Sequence, residues 1–241
     1  MKKIVAFLCT SLLSLSIFAQ ADWGENLKWK EAFYAYAAGT NLSLNENQKM
    51  FLIKNDFYKD WQQFHEDEFE WEDHKANDVK AIQDEISSFK NYKEKKCYAV
   101  TSAKFGKYDF EKEGYPVDIA EGVYFQLDKP YNSDATYEER KSIPDMALWL
   151  VGFSKYNFFP MSKDKAKTFQ TERKDRYGDV NRKIILVIHY SIEDFISTKY
   201  KGIEKNFEKS GYIPVVANIS SIEIYDEKNK NIFWNKNYTD S

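Results

Sequence analysis

The apolar residues of this chain change their spacing near Lys96, and this change constrains the fold more than any other feature of the sequence. Before Lys96, apolar residues recur every three or four positions, which predicts amphipathic helices. After it, short runs rich in Val, Ile, Tyr, Phe and Thr predict β-strands. We therefore predict an α+β fold in which N-terminal amphipathic helices pack on one face of a mostly antiparallel sheet.

Three helical segments precede the change. The first covers residues 27–38 and is predicted to end at Gly39-Thr40. The second covers residues 43–64 with one continuous apolar stripe, and the third begins near Phe69. Each helix has an apolar face that needs a partner surface. The stripes consist of Met50, Ile53, Phe57, Trp61 and Phe64 in the second helix, and of Ala76, Val79, Ile82, Ile86 and Phe89 in the third.

Strand patterns dominate the rest of the chain. A charged turn at residues 226–231 separates the last long strand from Ile232-Phe233-Trp234, which predicts a C-terminal β-hairpin. Residues 128–142 predict a long surface loop. The strands are predicted at residues 97–107, 122–127, 147–153, 182–191 and 212–225, and short helices at residues 162–172, with Ser162 as N-cap, and between Asp194 and Lys209.

The first 21 residues have the three parts of a signal peptide. Lys2-Lys3 is the positive start, residues 4–18 form an apolar run, and Ala19-Gln20-Ala21 supplies the small residues before a cleavage site. We therefore predict cleavage near Ala21, a single α+β domain over residues 22–241, and a periplasmic or secreted location in a bacterium. Because the apolar run is shorter than a membrane span, no transmembrane segment is expected in the mature chain.

Cleavage changes both the charge and the cysteine content. It removes two lysines and no acidic residue, so the mature chain has 33 Lys+Arg against 38 Asp+Glu, a net charge of −5. A chain without excess cations is poorly suited to nucleic acid, so no nucleic-acid partner is expected. Cys97 becomes the single cysteine, which excludes an intrachain disulfide. Its apolar strand context predicts a buried thiol, and whether it pairs between chains stays open.

No short catalytic signature for zinc, phosphate, dinucleotide or nucleophile chemistry occurs in the chain, so no cofactor is expected. The densest polar segment, residues 65–74, offers Asp67, Glu70 and His74 as candidate metal ligands. Acidic residues in a first helical turn also interact favourably with the helix dipole, and we favour this capping interpretation over a metal site.

Aromatic residues make up 17% of the chain, which raises the hypothesis of an aromatic binding surface. Rings at helical spacing are predicted to be core, whereas Trp71, Tyr115 and Tyr131 remain candidate surface-binding residues. We predict a non-catalytic binding or interaction domain whose partner is a protein or an envelope component. In one variant, an acidic surface meets a basic partner. Whether the chain is an enzyme stays open, the alternative being a hydrolase of envelope glycans that uses a carboxylate pair.

Two short segments resemble uncharacterised bacterial exported proteins that are classed as domains of unknown function. One is Asp67-Glu68-Phe69-Glu70-Trp71, and the other is Gly106-Lys107-Tyr108-Asp109-Phe110 followed by Gly114-Tyr115-Pro116-Val117. The resemblance implies the same fold and carries no activity. In physical terms the second segment predicts a turn in which Asp109 binds the backbone while Gly114 and Pro116 set the dihedral angles.

Overall fold

The structure is a computed structural model. It describes residues 24–119, 122–195 and 211–226, together with the backbone of residues 232–237. The predicted signal peptide and the helix predicted between Asp194 and Lys209 lie outside the described residues, as does the predicted turn after Asp226. The described residues form six α-helices and nine strands, which confirms the predicted α+β fold.

The N-terminal half forms a layer of helices. A two-residue strand, β1 (Glu25–Asn26), leads into α1 (Trp29–Thr40), which ends where Asn41 adopts a left-handed backbone with a φ of 51°. The layer continues with α2 (Glu46–Asp56), α3 (Tyr58–Phe64), α4 (Glu68–Ser88) and a 3₁₀ helix at Phe89–Glu94.

The helix predicted over residues 43–64 is divided into α2 and α3 in the structure. Phe57 leaves the helical region with φ −124° and ψ 36°, and α3 begins at the next residue. The Phe57 N–H still donates to the Ile53 carbonyl at 2.7 Å, and the Phe57 carbonyl accepts from the Trp61 N–H. Phe57 thus continues the apolar spacing through the break, so periodicity alone does not reveal it. None of the α3 residues is buried, whereas α2 buries much of its length.

The strands form one large sheet and one small pair. The strands after β1 are β2 (Lys96–Lys104), β3 (Gly114–Pro116), β4 (Phe125–Leu127), β5 (Met146–Val151), β6 (Phe158–Pro160), β7 (Lys183–Asp194), β8 (Ile213–Asp226) and β9 (Ile232–Asn237), of which β3 and β6 form the small pair. The large sheet has the order β1-β2-β7-β8-β5-β4, with β9 against the C-terminal half of β8. All its pairs are antiparallel except β1 with β2 and β5 with β8. The β8–β9 pair is the predicted C-terminal hairpin.

One face of the large sheet packs against the helices, as predicted. Trp29 of α1 stacks on Phe33 with ring centroids 5.0 Å apart, and its indole N–H donates to the Pro144 carbonyl at 3.0 Å. Cys97 is buried in the same core, and burial raises the pKa of its thiol to about 11, which confirms the predicted buried cysteine. Alternate residues of β7 complete this core, namely Ile184, Leu186, Ile188, Tyr190 and Ile192.

The predicted surface loop at residues 128–142 is only partly a loop, because it contains α5 (Tyr137–Ser142). The Thr136 hydroxyl accepts from the Glu139 N–H, and the Glu139 carboxylate accepts from the Thr136 N–H. This reciprocal capping box corrects the prediction, since Thr-x-x-Glu is a helix-start signal. A sixth helix, α6 (Lys163–Glu172), has its N-cap at Ser162 as predicted. In the described parts of the chain, no helix is long and apolar enough to cross a membrane.

Candidate binding surface

The predicted metal ligands Asp67, Glu70 and His74 serve other roles in the structure. Asp67 is the N-cap of α4, and its Oδ1 accepts from the N–H groups of Phe69 at 3.0 Å and Glu70 at 3.1 Å. Glu70 is exposed on the first turn. His74 stacks on Phe64 with ring centroids 3.6 Å apart. Across the residues that the structure describes, no three His, Cys, Asp or Glu side chains are placed to hold a metal ion.

Tyr115, predicted as a surface-binding residue, is fully buried, and that prediction is wrong. The pairing of β3 with β6 places its ring beside Phe159, with centroids 5.2 Å apart. Its hydroxyl donates to the Ala166 carbonyl of α6 at 3.2 Å. Of the other two candidates, Trp71 is half-buried against the main core, whereas Tyr131 is 83% exposed.

The turn before Tyr115 forms as predicted, except that Gly114 is required for a close approach of two backbone segments rather than for its dihedral angles. Asp109 Oδ1 accepts from the N–H groups of Glu111 at 3.0 Å and Lys112 at 2.9 Å. Gly114 is needed for a close approach, because a Cβ there would lie 2.4 Å from the Phe159 carbonyl oxygen. This segment is therefore explained by local structure rather than by a ligand.

Tyr131 directly precedes Asn132, whose side chain donates to the Lys54 carbonyl near the end of α2, and this places the exposed Tyr131 on the side of the molecule that carries the rings of α3. Tyr58 lies 5.7 Å from Trp61, and Trp61 stacks on His65 at 4.4 Å, both measured between ring centroids. The nearby Asp134 carboxylate raises the pKa of Tyr58. We call Tyr58, Trp61, His65 and Tyr131 the aromatic surface.

A buried ion pair lies beneath the aromatic surface. Lys54 Nζ of α2 donates to both carboxylate oxygens of Glu139, at 3.0 and 2.9 Å, and to the Asp134 carbonyl at 3.0 Å. The same ammonium lies 5.0 Å from the centroid of the Trp61 ring. The backbone carbonyl of Lys54 accepts from the Asn132 side chain at 2.6 Å. These bonds fix the segment that carries Tyr131 to α2 and α5.

The sequence-based reasoning missed this pair, whereas its prediction that Trp61 belongs to the core agrees with a half-buried ring that packs against the main core. Lys54 and Glu139 are 85 residues apart, and charged residues are ordinarily exposed. A signal was nevertheless present, because Lys54 directly follows the apolar run Phe51-Leu52-Ile53. Trp61 is half-buried, and its ring contacts both the Lys54 ammonium and the exposed His65 ring.

The corner between α3 and α4 gives the neighbourhood of the aromatic surface a negative charge. It begins at His65 of the aromatic surface and continues into the first turns of α4. Phe69 is 86% exposed in its middle. The exposed carboxylates of this corner belong to Glu66, Asp67, Glu68, Glu70, Glu72 and Asp73.

A shallow groove of about 460 Å³ runs along α6, and its lining residues come later in the chain than those of the aromatic surface. Asp164 and Glu172 are its two acidic residues, and they lie eight positions apart on one helix. At 1.5 Å per residue this separation is about 12 Å along the axis, more than glycoside hydrolysis requires. The helix thus sets the Cα atoms of Asp164 and Glu172 farther apart than the two carboxyl groups of a glycoside hydrolase.

Comparison with known proteins places the chain in a family. A family model described as a domain of unknown function (DUF4852) matches residues 45–172, which is more than half of the chain. The match runs from α2 to α6, and so contains the aromatic surface, the buried ion pair and both segments that carried the resemblance. No curated protein and no solved structure matches the chain. The chain belongs to the DUF4852 family, a domain of unknown function.

Proposed function

We propose that the protein is an exported, non-catalytic domain that binds another protein through the aromatic surface, and that the partner presents a basic face. Export rests on the signal-peptide pattern of residues 1–21. The observation that supports the binding function is a group of accessible aromatic rings that lies above the buried Lys54–Glu139 ion pair.

The rings have the character of a protein interface. Tyr131 is 83% exposed and Tyr58 is 38% exposed, and Tyr and Trp are enriched at the energetic centres of interfaces. Because the Lys54–Glu139 pair already holds the segment beside Tyr131, little conformational entropy is lost when a partner binds.

A protein partner fits the geometry of Trp61 better than a glycan does. Sugars stack on the open face of an aromatic ring. The Trp61 ring already contacts the Lys54 ammonium at 5.0 Å and stacks on His65 at 4.4 Å. Stacking of a sugar on Trp61 would require displacement of one of these groups, whereas a protein can contact the ring edges and the Tyr131 side chain.

The acidic corner supports a basic partner. Exposed carboxylates around Phe69 adjoin His65, so a partner with Lys and Arg side chains would be attracted to this part of the molecule. The interaction should weaken as salt screens these charges.

The hydrolase alternative needs two accessible carboxyl groups about 5 to 10 Å apart. Asp60 acts electrostatically on Asp78, but Asp78 is only 4% exposed and lies beyond the reach of a polymer. We therefore retain the binding function as the proposal.

The binding test compares the mature chain with single variants in affinity capture from the native periplasm. The candidate partner is then purified, and its Kd is measured by calorimetry. We expect Tyr131→Ala to weaken binding about tenfold or more, as truncation of a central interface residue does. The matched control is Tyr177→Ala, which removes a ring of similar exposure, 74%, from the loop after α6. Equal affinity of the Tyr131→Ala variant and the wild type would contradict the proposal.

The export test is independent of the binding test. We expect the protein isolated from the native periplasm or culture medium to begin at Asp22, as read by N-terminal sequencing. A protein that retains Met1 and stays in the cytoplasmic fraction would refute export.

A further inference from the structure

Asp78 is a buried carboxyl group in the helical layer, on the side of α4 that faces the protein interior. Its residue is 4% exposed, and its Oδ2 accepts no hydrogen bond from the described residues. It lies one turn before Ile82, which is fully buried. An ionised carboxylate in such surroundings loses hydration without gaining a bond, so ionisation of Asp78 is unfavourable.

The charged groups around Asp78 do not compensate its ionisation. Asp60 of α3 disfavours the ionised form, and His74 of α4 acts in the opposite direction when it is charged. On α1, Lys30 is engaged by two carboxylates, and on α2, Lys54 is engaged by Glu139. The remaining cation pairs that the structure describes on these helices are Lys49 with Glu46, Lys75 with Glu46 and Glu72, and Lys80 with Asp84.

The element that faces Asp78 is α3, which buries little of its own surface. α3 has seven residues, and none of them is buried. Its C-terminal end contacts α4 through the stacking of Phe64 on His74 at 3.6 Å. With so little buried apolar surface, α3 belongs to the least stable part of the helical layer.

We propose that Asp78 makes the docking of α3 on α4 sensitive to pH. The protonated carboxyl keeps α3 docked, and its ionisation loosens α3, whose C-terminal end leads into His65 of the aromatic surface. The control of partner binding by this movement rests on the proposed function, whereas the movement itself does not.

The sign and size of the effect follow from the position of Asp78. Desolvation is the main cause that raises the pKa of Asp78, with Asp60 second, from 3.8 to about 6. A carboxyl with a raised pKa favours the docked state at acid pH, and this contribution is lost as the pH rises through about 6. If the pKa returns to 3.8 when α3 loosens, the loosened fraction rises about tenfold between about pH 5 and about pH 7.5.

The test is hydrogen exchange of the mature chain without any partner, read by mass spectrometry on peptides covering residues 57–67. After correction for intrinsic exchange rates, wild-type protection should fall about tenfold between about pH 5 and about pH 7.5. Asp78→Asn should remove this pH dependence, because the amide stays neutral. Asp84→Asn is the matched control on the same helix, since Asp84 is exposed and paired with Lys80, and it should behave like the wild type.

Two outcomes would overturn the inference. One is wild-type protection of α3 that is the same at both pH values. The other is a tenfold change that persists in Asp78→Asn, which would assign the titration to a group other than Asp78. Both readouts are made in the absence of a partner, so they are separate from the Tyr131→Ala result that decides the binding function.

Discussion

Breaking the buried pair beneath the aromatic surface tests directly what holds that surface in place. In Glu139→Ala, the Lys54 ammonium keeps the Asp134 carbonyl as its remaining hydrogen-bond acceptor, in a site where the Lys54 side chain is 7% exposed. Removing one partner of a buried pair costs about 3–5 kcal/mol. The variant also loses the bond from the Thr136 N–H to Glu139, worth about 1 kcal/mol as part of a helix cap. We expect the free energy of unfolding to fall by about 4 kcal/mol or more.

A double-mutant cycle separates the pair from its surroundings. Lys54→Met keeps the apolar stem and leaves Glu139 with the Thr136 N–H, so its cost should be smaller than that of Glu139→Ala. The double variant leaves no unpaired buried charge. Its cost should therefore fall short of the sum of the single costs by at least about 2 kcal/mol.

Urea unfolding near neutral pH, followed by circular dichroism, measures all three variants. The control is the same cycle on Lys80 and Asp84, an exposed pair on α4 whose side chains are 73% and 67% exposed. Its coupling should stay below about 0.5 kcal/mol. Additive costs at Lys54 and Glu139 would refute the view that this pair holds the segment before α5.

Three further predictions follow from single contacts. Asp67→Ala should lower the free energy of unfolding by about 1 kcal/mol through loss of the α4 cap, equally with and without a chelator, and an effect seen only without chelator would favour metal binding. Cys97 should react with a thiol reagent at about pH 8 only as fast as the protein unfolds, because burial raises its pKa to about 11; rapid labelling of the native protein would contradict its burial. Gly114→Ala should destabilise the protein by about 1–3 kcal/mol in the same urea assay, since its Cβ would lie 2.4 Å from the Phe159 carbonyl oxygen, and an unchanged midpoint would refute the close approach.

The layers of the fold could be predicted from the sequence because apolar spacing is a local property. The change of spacing at Lys96 coincides with the first residue of β2. The break between α2 and α3 could not be predicted in this way, because Phe57 keeps the spacing while its backbone leaves the helix. The start of α5 was readable in Thr136 and Glu139, but the polar composition around them favoured a loop.

The site could not be predicted to the same extent, because its key residues are buried charges. Whether Lys54 is buried depends on Glu139, which lies 85 residues further along the chain. Tyr115 was misplaced for a related reason, since its burial depends on the pairing of β3 with β6. For Asp78 a local signal existed, because it lies seven residues after Trp71 and four before Ile82, on their side of α4.

The two buried charged sites act in opposite ways on the same short helix. Trp61 of α3 contacts the Lys54 ammonium, whose charge is compensated by Glu139, so this attachment is held by a complete set of bonds. Asp60 of α3 faces Asp78, which has no compensating bond among the described residues. When Asp78 ionises, the free-energy cost of the buried charge is relieved if the part of α3 that packs on α4 moves away. The contact of Trp61 with Lys54 resists this movement at the other side of α3. The pH-dependent loss of protection should therefore be larger in residues 62–67 than at Tyr58, and a uniform loss along α3 would mean that Trp61 does not hold the helix.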